Sequence, residues 1–101
     1  MVNTYNAVYP VTVRMHNRNG AGIIKITADC RTDGFDVRIK NIDNEEKINV
    51  EPLSLMSFLV HVQQGNNLEI TVSGKFDKTE LKERADHLGS FFSRDDYSLL
   101  D

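Results

Sequence analysis

A chain of 101 residues, 40% hydrophobic and 27% charged, has room for one domain with a single modest core. Its net charge of −3 argues against nucleic acid as a partner, its single Cys30 permits neither an internal disulfide nor a cysteine metal cluster, and no apolar run approaches membrane-spanning length. The opening Met1-Val2-Asn3-Thr4-Tyr5 has no basic patch followed by an apolar block, so no signal peptide is expected, and the cytoplasm is the expected compartment.

Ala7, Tyr9, Val11 and Val13 alternate with Val8, Pro10 and Thr12, the periodicity of a strand. Pro10 cannot donate to a ladder, which predicts a sheet edge or a bulge. The stretch Met15-His16-Asn17-Arg18-Asn19-Gly20-Ala21 follows. His16 stands at the end of the alternating run and just before a candidate helix, with Arg18 two residues on. The unpaired N–H groups of a helix start carry partial positive charge and form an anion site. A histidine that accepts a phosphoryl group needs that setting: a neutral imidazole to attack, fixed donors, and a guanidinium for the phosphate oxygens.

Met15-His16-Asn17-Arg18-Asn19-Gly20 resembles the active-site stretch of HPr, the histidine phosphocarrier protein of the bacterial sugar phosphotransferase system, which reads Leu/Ile-His-x-Arg-Pro-Ala. His16 and Arg18 match, while Asn19 and Gly20 stand where the family has proline and alanine. The likeness extends from about Ala7 to Phe92. The first strand of that family is an edge strand, in agreement with Pro10.

From Asn19 to Cys30 the residues themselves leave two readings open. Ile23, Ile24, Ile26 and Thr27 are β-branched and Gly20 and Gly22 weaken a helix, which suits a strand. The resemblance, and the fit of Ile23, Ile24, Thr27 and Cys30 to one helical face, favour a helix, and a helix is the reading taken. Thr32-Asp33-Gly34 marks a turn. Phe35, Val37 and Ile39 alternate with Asp36, Arg38 and Lys40, a half-buried strand. Asn41-Ile42-Asp43-Asn44 has turn chemistry, and Lys47-Ile48-Asn49-Val50 returns to complete a hairpin.

Pro52 to Val62 is too apolar for an exposed helix and too irregular for alternation, and a short helix capped by Ser54 is the simplest reading. Gln63 to Asn67 reads as a loop. Leu68, Ile70 and Val72 against Glu69, Thr71 and Ser73 form another strand. Asp77 with Glu80 resembles a capping box, and Leu81, Ala85, Leu88 and Phe92 form one apolar stripe. Lys78, Glu80, Lys82, Glu83 and Arg84 take the solvated side. Residues 1–92 read as the domain and 93–101 as a polar tail.

Packing or a partial surface position accounts for His61, and solvation for His87. Neither has metal-ligand spacing to His16, and no phosphate-cradling glycine loop, serine elbow or Cys/His dyad is present. Cys30 reads as a small, semi-buried apolar residue. Ser54 is a helix N-cap or, by the resemblance, the regulatory phosphorylation site found in HPr proteins of many Gram-positive bacteria. A rival alignment through Ile48-Asn49-Val50-Glu51 puts Pro52 at that position and removes the site. Leu55 and Met56 are core, or the apolar part of a partner-docking surface near the histidine, whereas Phe58 and Leu59 read as core.

The resemblance implies an α+β open-faced sandwich of order β-α-β-β-α-β-α: a four-stranded antiparallel sheet with three helices on one face. It also implies a phosphoryl carrier rather than a stand-alone enzyme. His16 is then the nucleophile through Nδ1, Arg18 supplies charge, and the N–H groups of Asn17 and Arg18 donate to the phosphate. Enzyme I would charge it and an enzyme IIA domain would discharge it, with HPr kinase as a further partner at Ser54 and no metal or other cofactor. The alternative is an HPr-like regulatory binding module that has lost the relay, because Asn19-Gly20 loosens a site that proline stiffens.

Overall fold

The structure, a computed structural model, describes residues 2–13, 17–43, 46–49 and 61–93, and of 17–20 and 46–49 the backbone alone. In chain order it comprises β1 (Asn3–Pro10), α1 (Asn17–Thr32), β2 (Asp36–Asn41), β3 (Glu46–Asn49), β4 (Asn67–Gly74) and α2 (Lys78–Ser90). The class is α+β.

Three strands form the body of an antiparallel sheet, with β4 between β1 and β2. Val72 faces Tyr5 on one side and Val37 on the other, and Ile70 likewise faces Ala7 and Ile39. Period-2 alternation therefore brings Leu68, Ile70, Val72, Val37 and Ile39 onto one face, where all are buried. The short β3 extends the sheet beyond β2, with Ile39 opposite Ile48. This leaves β1 at an edge, and Pro10 ends it, where a missing N–H removes no ladder bond on the open side. The opposite face is polar: Thr4 bonds Ser73 at 3.1 Å between hydroxyls, and the Asn6 amide donates to the Thr71 hydroxyl at 2.6 Å.

Both helices contact the strands, α2 against β1 and β4 and α1 against β2. The start of α2 follows from Asp77, whose carboxylate accepts the Glu80 N–H at 2.9 Å and satisfies one of the orphan donors. Leu81, Ala85, Leu88 and Phe92 are fully buried, and each leucine contributes about 2 kcal/mol of apolar burial. Arg84, expected on the solvated side, is half-buried instead. Its guanidinium pairs with Asp33 at 2.9 Å and lies over the Phe35 ring, 4.7 Å from the centroid.

The segment with two open readings is helical, and α1 runs two residues beyond the expected Asn19–Cys30 at each end. Ile23, Thr27 and Cys30 are buried. Burial of the Thr27 hydroxyl is compensated, since it donates to the Ile23 carbonyl at 3.0 Å and lies 2.9 Å from that of Ile24. Gly22 is not a defect in this helix. A Cβ there would lie 2.8 Å from Cε1 of Phe91, so glycine is what lets α1 approach the end of α2.

Asn41, expected in a turn, is instead the wholly buried last residue of β2. Its side-chain nitrogen Nδ2 donates to Oδ1 of Asn66 at 3.1 Å, and its side-chain Oδ1 accepts the Asp43 N–H at 3.1 Å. The helix expected near Ser54 lies outside the described residues, as does the expected tail beyond Ser93. Among the described residues no helix is long and apolar enough to cross a membrane.

Candidate functional site

His16 lies outside the described residues, and so do Ser54, Pro52, Leu55 and Met56. What the structure describes is the frame on either side of position 16. Upstream, the loop before β4 and the end of α2 hold the chain after β1. The Val11 N–H donates to the Asn66 carbonyl and the Gly65 N–H to the Val11 carbonyl, both at 2.8 Å. The Thr12 N–H donates to the Phe92 carbonyl at 2.9 Å, and the Gln64 side-chain amide donates to the Thr12 carbonyl at 3.1 Å. Val11 is buried, so this link is packed as well as hydrogen-bonded.

Downstream, α1 begins at Asn17, the residue after His16 in the chain. Asn17 and Arg18, expected to donate their N–H groups to a phosphate, are the first two residues of that helix. Such N–H groups have no partner within the helix and carry part of the positive end of its dipole. No acidic residue stands in the first turn. Gly22, packed under Phe91, fixes the helix one turn further on.

The other two histidines are both exposed and lie on separate elements, His61 in a turn and His87 near the end of α2. The His87 ring meets the Phe91 ring edge-on at 5.5 Å between centroids. His87 also lines a cavity of about 340 Å³ between the helices, with Ile26, Asp29, Cys30, Glu83 and Arg84. That assembly of a cysteine, a histidine and carboxylates was not legible in the sequence, because its members come from two helices without any motif spacing. Burial pushes the Cys30 thiol up from its ordinary range, against a smaller opposing effect of Arg84. The thiol therefore stays protonated near neutral pH and is a poor nucleophile. Among the described residues no three His, Cys, Asp or Glu side chains are grouped to hold a metal ion.

A second network joins the sheet to α2. The Tyr9 hydroxyl donates to Asp86, whose other oxygen takes the Lys82 ammonium at 2.7 Å. These contacts tie β1 to the helix that also anchors Thr12. No protein-family model matches the chain, and no curated protein matches it.

Proposed function

We propose that the chain is a phosphocarrier of the HPr type, in a phosphoenolpyruvate-dependent sugar phosphotransferase system. The observation that carries the reading is the start of α1 at Asn17, directly after His16 in sequence, with Arg18 in the first turn and no acidic residue there. The order of strands and helices on either side supports it, as does β1 at the sheet edge. On this reading the fold is an HPr-like open-faced sandwich with three helices, the second of them expected near Ser54, and its compartment is the cytoplasm.

The chemistry asks little of the carrier. A lone pair on His16 Nδ1 forms a bond to phosphorus as the bond from phosphorus to enzyme I breaks. The phosphoryl group leaves by the reverse step to an enzyme IIA domain. Arg18 and the N–H groups of Asn17 and Arg18 stabilise charge on the phosphoryl oxygens, and no metal is required of the carrier. Leu55 and Met56 give the docking surface its apolar part. Ser54 is the site at which an HPr kinase would add a dianion and weaken docking by repulsion and desolvation. Absence of label at Ser54 on treatment with such a kinase would favour the alignment with Pro52.

Asn19 and Gly20 favour a second reading, a regulatory binding module on the same fold. Incubation with enzyme I and phosphoenolpyruvate separates the two. A carrier acquires an acid-labile phosphoryl group, and a binding module does not.

A further inference from the structure

The end of α2 touches the chain on both sides of position 16. Phe92 accepts the Thr12 N–H at 2.9 Å, and the neighbouring Phe91 lies against Gly22 so closely that a Cβ would stand 2.8 Å from Cε1 and 3.1 Å from Cδ1. Thr12 precedes His16 by four residues and Gly22 follows it by six. Two adjacent residues at one helix end thus hold Thr12 and Gly22, with nine residues of sequence between them.

That helix end is itself rigid. The Phe91 N–H bonds the Leu88 carbonyl at 3.2 Å and the Phe92 N–H bonds the Gly89 carbonyl at 3.0 Å. Phe92 and Leu88 are fully buried. Further back, Asp86 takes the Tyr9 hydroxyl, so the helix is also pinned to the strand from which the upstream flank emerges.

The geometry points to Phe91 as a positioning residue: packed on Gly22, it sets the direction in which the first-turn N–H groups of α1, directly after His16 in sequence, are presented. This rests on the phosphocarrier reading for its consequence, though not for its geometry. A displaced helix start would misalign donors and nucleophile. Misplacement by about 1 Å is able to cost ~100-fold in rate.

Gly22→Ala is the test, made in the full chain. Alanine favours a helix over glycine, so any adverse effect comes from the collision with Phe91. The amide NMR signals of Asn17 and Arg18 should move, while those of Val37 and Ile39 in β2 stay in place. Phosphorylation by enzyme I should slow roughly tenfold, in kcat rather than in KM, since the docking surface is untouched. Phe91→Ala alone, which removes the ring and adds nothing at position 22, should also move those amide signals and slow the transfer, because α1 then loses the surface that sets its direction.

Unmoved Asn17 and Arg18 signals in Gly22→Ala or in Phe91→Ala would overturn the assignment. If Gly22→Ala fails to fold, Phe91→Ala decides alone: displaced amide signals support the assignment, and unmoved signals overturn it. If the unaltered protein takes no phosphoryl group, the carrier reading falls. The amide signals of Gly22→Ala and Phe91→Ala still judge the positioning contact.

Discussion

Tyr9 on β1 donates its hydroxyl to Asp86 on α2 at 2.5 Å, a bond that spans most of the chain. Burial first, and the Asp86 carboxylate second, push the Tyr9 phenol well above its ordinary pKa of 10.0. Lys82 foremost, then Tyr9, hold Asp86 below its ordinary 3.8. The two shifts act at opposite ends of the pH scale. Asp86 contributes stability that is present above pH 3.8 and is lost as pH falls through its lower folded value. Tyr9 contributes stability that is complete below pH 10.0 and is lost as pH rises toward its elevated folded value.

The first prediction follows from those signs. The stability gap between the protein and Asp86→Asn, read by urea unfolding, should hold constant from pH 5 to 8 and narrow as pH drops below about 4. Tyr9→Phe should blunt the loss of stability above pH 10. A gap that persists unchanged in acid would show that the carboxylate's charge contributes nothing.

Gly89 yields the second. A Cβ there would run into the Tyr9 ring, and that ring is held by its hydroxyl bond to Asp86. Overpacking of this kind costs about 1–3 kcal/mol, set against the ~1 kcal/mol that alanine gains in a helix. Gly89→Ala should therefore lower Tm in the unaltered background. In a Tyr9→Ala background the same change should raise it. Stabilisation by Gly89→Ala with Tyr9 in place would contradict the contact.

How far the fold was legible depends on what each element packs against. Leu68, Ile70 and Val72 alternate because β4 has one buried face and one polar face, and that pattern is local. The stripe Leu81, Ala85, Leu88, Phe92 is local in the same way, and Asp77 marks its beginning. The helix α1 was not legible from propensity. Its β-branched residues serve a buried face, the hydroxyl of Thr27 is satisfied within the helix, and Gly22 answers to Phe91, distant in sequence. Arg84 misleads for a related reason: a guanidinium at a polar helix position is half-buried because Phe35 and Asp33 happen to face it. At the candidate site, the helix start beside His16 was legible from the motif. The clamp by Phe91 and Phe92 was not: the stripe marks Phe92 as buried, but nothing local points to its bond with Thr12 or to the contact of Phe91 with Gly22, both distant in sequence.

The third prediction concerns Asn19 and Gly20, both in the first turn of α1. Proline at 19 would lack only an N–H that has no partner within the helix, and alanine at 20 would reduce the freedom of the unfolded chain. Each change typically stabilises by about 0.4–1 kcal/mol where the backbone permits it. Asn19→Pro with Gly20→Ala should raise Tm and, by stiffening the donors, speed phosphorylation of His16. Higher stability with no transfer in either protein would support the binding module. Marked destabilisation would show that one of these positions holds a conformation the new residue is unable to adopt.

The most direct measurement is phosphorylation of the protein by enzyme I and labelled phosphoenolpyruvate, followed by acid treatment. The label should enter the chain, be lost in acid, and be abolished by His16→Ala but retained in His61→Ala and His87→Ala. Label that persists in the His16→Ala protein, or a chain that takes up none, would contradict phosphoryl carriage at His16.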